Sequence, residues 1–82
     1  MITGLQIRAA RAALRMSSAE LARLAGVGQQ TIKRFELVDG IPPSRSATLV
    51  AVLTALEAAG VEFVGSPEDA PGIRIRDAAD RS

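Results

Sequence analysis

The sequence has no cysteine, no histidine, no tyrosine and no tryptophan. Without cysteine no disulfide can form. Without cysteine and histidine the usual structural zinc sites lose their ligands, so no metal is expected. The common catalytic bases and nucleophiles shrink to carboxylates, Ser, Thr and Lys. No nucleophile–base pair and no glycine-rich phosphate loop is visible, so an enzyme and a bound cofactor are not expected. Phe35 and Phe63 are the two aromatic residues. Modules that bind single strands or RNA stack bases on aromatic side chains, and that class is disfavoured too. Charges interrupt every apolar run before it reaches the length of a membrane span. The start of the chain lacks a basic segment followed by an apolar one, so the expected location is cytoplasmic.

What is present is 48% hydrophobic residue in an 82-residue chain. That composition supports one small core built from Ala, Leu, Val and Ile. A domain of this size buries only roughly 60% of its unfolded surface, which makes association with a second copy worth expecting. The net charge of +1 conceals an asymmetry. Residues 1–36 carry six basic against two acidic side chains, a net +4, and residues 37–82 carry four against seven, a net −3. A basic half beside an acidic half suits one surface for a polyanion and another for a different partner.

The apolar period is helical for most of the chain. Thr3 is placed to cap a first helix with Leu5, Ala9, Ala12 and Ala13 on its apolar side, and Arg8, Arg11 and Arg15 share one face. Met16-Ser17 breaks the pattern. Ser17 opens a second helix, and Ser17 with Glu20 has the spacing of a capping box. Gly26 ends that helix, as a tight corner requires. A third helix begins at Gly28 or Gln29 and buries Ile32 and Phe35. After the stiff Ile41-Pro42-Pro43 loop, Ser44 or Ser46 caps a fourth helix with Leu49, Val52, Leu53 and Leu56 on its inner side. Gly60 closes it. The period then changes to that of strands at Val61–Val64 and Ile73–Arg76, with residues 65–72 as the link. The expected fold is mainly α: a small four-helix domain over residues 1–60 and two short C-terminal β-strands over 61–76. Residues 77–82 read as a flexible tail.

The spacing from Leu21 to Phe35 carries the functional reading. Ala22 and Gly26 stand four apart, framed by Leu21, Val27, Ile32 and Phe35. Two helices that meet steeply need a small residue on the first and a glycine at the corner. That is the pattern of a helix-turn-helix, here from about Ser18 to Leu37, whose second helix enters the major groove. Gln29 and Gln30 suit adenine, since a Gln amide can donate to and accept from that base. Lys33 and Arg34 lie four residues further on, within reach of guanine or phosphate.

Ala19-Glu20-Leu21-Ala22, Ala25-Gly26-Val27, Gln29-Gln30-Thr31-Ile32 and Glu36 together resemble the lambda-repressor and Cro class, the XRE family of regulators. The resemblance runs from Leu5 to about Glu57. It implies double-stranded DNA as partner, with base contacts from Gln29, Gln30, Lys33 and Arg34. It also implies a salt bridge between Arg11 and Glu36 that fixes the third helix against the first. Ser17, Ser18, Arg8, Arg15, Thr31 and Arg45, with Arg23, are expected to meet phosphates. Members of the class have a fifth helix, and here strand-like residues stand in its place. A lone two-stranded ribbon is marginal in water. Val61, Phe63, Ile73 and Ile75 therefore need cover, either from the bundle or from a homodimer partner, and Glu62 can face Arg74 or Arg76. The expected role is a repressor on an inverted repeat. The alternative is an antitoxin or other protein-interaction module on the same fold, its acidic half holding a protein partner.

Overall fold

The computed structural model describes residues 1–76. Four helices, α1 (Gly4–Ala13), α2 (Ser18–Ala25), α3 (Gln29–Glu36) and α4 (Ser46–Ala58), precede two strands, β1 (Val61–Ser66) and β2 (Asp69–Ile75). The tail expected over 77–82 lies outside the described residues. No helix among those described is long and apolar enough to cross a membrane.

Thr3 and Gln6 start α1 with a reciprocal cap. The Gln6 amide donates to Thr3 Oγ1 at 3.1 Å, and Thr3 N donates to Gln6 Oε1 at 2.9 Å. Each bond satisfies a helix-end donor that would otherwise be orphaned. The buried face of α1 carries Ile7 and Ala10. This corrects the expected Leu5, Ala9, Ala12 and Ala13 face: Leu5 is 42% exposed and the three alanines lie less deep than Ala10. Alanine occurs on both sides of this helix and gives no direction. Ile7, the larger apolar group, decides which side turns inward, because burial scales with apolar area. Gly4 has no substitute at its position. A Cβ there would overlap the carbonyl oxygens of Phe35 and Val38, so the start of α1 lies directly on the end of α3.

α1 stops before Arg15, which sits at φ 55. Arg15 N donates to Ala12 O and Met16 N to Arg11 O, at 3.1 and 2.9 Å, closing the helix by the paired bonds of a Schellman motif. Arg15 therefore leaves the helical face it was expected to share with Arg8 and Arg11. Ser17 caps α2 by accepting from Glu20 N at 3.0 Å. The return bond from the Glu20 side chain is not formed, so the expected capping box is half present. At the far end, Gly26 takes φ 72, while Gly26 N and Val27 N reach back to Arg23 O and Ala22 O. A residue with a Cβ would be strained in that left-handed corner.

Neither α3 nor α4 has a side-chain cap. The residue before α4 is Arg45, which corrects the expected Ser44 or Ser46 cap: Ser46 is already helical, and the Ser44 hydroxyl donates to Arg45 O instead. Leu49, Val52 and Leu56 of α4 join Ile7, Leu21, Ile32, Phe35 and Val61 in one core. Each such side chain contributes roughly 1.5–3 kcal/mol by leaving water.

The strands are longer than their apolar residues suggest. They pair antiparallel within the chain, Val61 opposite Ile75 and Phe63 opposite Ile73, and turn at Pro67-Glu68. Most of the expected 65–72 link is therefore strand. Pro71 is tolerated because it has no opposite residue in the ladder, which is irregular between Val64 and Ser66. The hairpin is tied to the bundle by Gln6, whose Nε2 donates to Gly72 O at 2.8 Å and Val64 O at 3.4 Å. Arg76 N closes its open end on Gly60 O at 2.9 Å. Val61 is 1% exposed, so hairpin and helices share their interior.

Candidate nucleic-acid interface

The site begins with the α2–α3 corner at Gly26. Leu21 and Ala22 on α2, and Ile32 and Phe35 on α3, are buried against one another's helices and the core. Buried residues at 32 and 35 turn the opposite side of α3 to solvent. Gln29, Gln30, Lys33 and Arg34 are all exposed, and Thr31 is half-buried. The exposed side carries two amides and two cations and no carboxylate.

Arg11 fixes α3 from the side of α1. Its Nε and Nη2 donate to the two carboxylate oxygens of Glu36, both at 2.8 Å. Its remaining nitrogen, Nη1, donates to Met16 O at 3.0 Å, in the turn that leads into α2. One guanidinium thus ties together α1, the entry to α2 and the end of α3. The hydrogen bond to Glu36 raises the pKa of Arg11 further above its ordinary value; partial burial opposes this and the charge of Glu36 adds to it. Arg8 grips the same end of α3. It donates to Glu36 O and to Asp39 Oδ1, the latter at 2.8 Å. Two cations at the C-terminal end of a helix also complement its dipole. Arg8 is engaged by these bonds and is not a free cation.

The other expected contacts stand in different states. Gln29 Nε2 donates one hydrogen to Ser18 Oγ at 3.1 Å, linking the first turns of α3 and α2. Its carbonyl oxygen and second amide hydrogen have no partner among the described residues. The side chains of Gln30, Lys33 and Arg34 have none either, nor do those of Arg15, Arg23 and Arg45. Ser17 is occupied in capping α2, and its hydroxyl hydrogen is still available to donate. On the hairpin, Val61, Phe63 and Ile73 turn toward the chain's own core, and Ile75 stays 40% exposed. Glu62 faces Arg74 across the strands at 3.2 Å.

Two groups stand out beyond what their sequence context suggests, one inside the fold and one on its surface. Gln6 is one, and the signal that marks it is Thr-x-x-Gln at a helix start, the spacing of a capping box. Leu37 is the other. It follows α3 and is 81% exposed, the most open of the large apolar side chains described. Among the described residues no group of three carboxylates is placed to hold a metal ion.

No curated protein matches this sequence. A helix-turn-helix family model matches residues 7–57, which run from Ile7 in α1 to the last turn of α4 and include the whole α2–α3 unit. The match covers more than half of the chain, and the hairpin lies beyond it. The protein belongs to the helix-turn-helix family of DNA-binding regulators, of the XRE type.

Proposed function

We propose that the protein is a sequence-specific transcriptional repressor that binds an inverted-repeat operator as a homodimer, with α3 in the major groove. The observation that carries this reading is the free polar face of α3. Gln30, Lys33 and Arg34 have no partner among the described residues, on a helix whose far end is held by Arg8 and Arg11. Rigid support under an unsatisfied polar surface is what direct readout requires. A bidentate Gln–adenine pair is worth about 1–3 kcal/mol against a wrong base. Gln30 is free to make one. Gln29 still has a donor and an acceptor, and its bond to Ser18 presets the amide plane. Lys33 and Arg34 serve guanine or phosphate.

The backbone amides at the start of α2, beside Ser17 and Ser18, suit a phosphate because the helix dipole is positive there. Arg15, Arg23, Thr31 and Arg45 extend that contact along the strand. Arg8 contributes by holding α3 and not by touching DNA. Two-fold symmetry would set the two recognition helices about 34 Å apart, one turn of DNA. A hairpin with open edges and the exposed Ile75 supports pairing between copies through the C-terminal strands. Repression then follows from occupancy of the operator, in the cytoplasm.

The test is selection of random duplex DNA on the purified protein. A palindromic consensus with half-sites one turn apart is expected. Absence of any enriched sequence would contradict the reading and favour a protein partner as the target of this fold.

A further inference from the structure

Leu37 is the anomaly of the exposed face of α3. Its neighbours on that face are polar or charged, and it leaves 81% of its surface in water. At about 100° per residue, Gln29, Lys33, Gln30 and Arg34 span an arc of about 140°. Leu37 falls about 80° from Gln29, near the middle of that arc and opposite the buried Ile32 and Phe35. Its backbone is still helical, at φ −75 and ψ −16, so it continues the helix it follows. Along the axis it stands about 12 Å from Gln29. That is three to four base-pair steps at about 3.4 Å each.

A leucine in this position gains nothing from a phosphate or from a base edge that only donates or accepts. The major groove offers one apolar group, the C5-methyl of thymine. Lys33 and Arg34, four and three residues before Leu37, flank it on the helix surface and can anchor the neighbouring backbone. We infer that Leu37 is a specificity-determining residue that packs on a thymine methyl three to four base pairs from the bases read by Gln29 and Gln30. This rests on α3 reading the major groove, as proposed above.

The experiment uses the full chain and the selected duplex, with each thymine of a half-site replaced in turn by uracil. That exchange removes only the methyl. Binding is measured for the wild type and for Leu37→Ala, whose thermal unfolding should match the wild type because the side chain is exposed. At one thymine, uracil should weaken wild-type binding about four-fold, the effect of one buried methyl. Leu37→Ala should be insensitive to uracil at that position and keep the wild-type response elsewhere. The inference is overturned if no uracil penalty depends on Leu37. It is also overturned if Leu37→Ala weakens every duplex equally, which would place the side chain against the backbone or a second protein. Both of these outcomes leave the DNA-reading function standing. Failure of every duplex to bind would remove that function and the inference with it.

Discussion

Three side-chain bonds leave the guanidinium of Arg11, two to Glu36 and one to Met16 O. The two ends of the ion pair are not equally sheltered, at 28% exposure for the Arg11 side chain and 10% for Glu36. Removing Arg11 strands a mostly buried carboxylate, whereas removing the charge of Glu36 leaves a cation with access to water. Losing one partner of a buried pair is severe, and partial exposure moderates it. Arg11→Ala is expected to cost about 2 kcal/mol of folding stability and Glu36→Gln about half of that. Urea denaturation of the two variants checks the order, and an equal or reversed order would mean that the pair is not what seats α3. This pairing is legible as a family resemblance. The bond to Met16 O is not, because a backbone acceptor leaves no mark in side-chain spacing.

At the scale of elements, the α2–α3 corner is legible in the sequence because each of its requirements selects a residue type. A hydroxyl stands at the N-cap, a glycine at the left-handed corner, and buried side chains at 21, 22, 32 and 35. α1 is harder, since its alanines do not distinguish one face from another. The hairpin is hard to read for a different reason. Gly65, Pro71 and Gly72 look like loop residues, and Gly65 lies in a strand because the ladder is irregular between Val64 and Ser66, where it takes φ 75 and a Cβ would overlap Ala70 O. Beside the core packing of Val61, Phe63 and Ile73, the hairpin is held by Gln6, a buried amide with bonds to Thr3, Val64 and Gly72. Gln6→Leu keeps the volume and removes those bonds. Each lost bond that leaves a buried group unpaired costs roughly 1–3 kcal/mol, so a total of about 2 kcal/mol is expected. Hydrogen exchange should show the amides of β1 and β2 losing protection before those of α3. Uniform loss across the molecule would show that the hairpin is not a separately anchored element.

For the whole molecule, the arrangement divides labour between two sides. Among the described residues the N-terminal half supplies the free cationic side chains Arg15, Arg23, Lys33 and Arg34, to which the C-terminal half adds Arg45, and the two N-terminal carboxylates include Glu36, which Arg11 occupies. The C-terminal half supplies α4 and core cover from the hairpin. The charge asymmetry lies along the chain. It does not reveal which side chains stay free, because Arg8 and Arg15 look alike in sequence. Arg8 is held by Asp39 and Glu36 O, and the side chain of Arg15 is held by nothing among the described residues.

In the proposed complex the free amides of α3 read bases while the cations around them hold phosphates. The most direct test is titration of the selected duplex and of a scrambled duplex with wild type and Gln30→Ala across a series of salt concentrations. The expected result is that Gln30→Ala loses about ten-fold or more in preference for the selected sequence. The slope of affinity against salt should stay unchanged, since a neutral amide releases no counterions. A variant that keeps the wild-type preference, or that loses affinity for both duplexes alike, would contradict base reading by this helix.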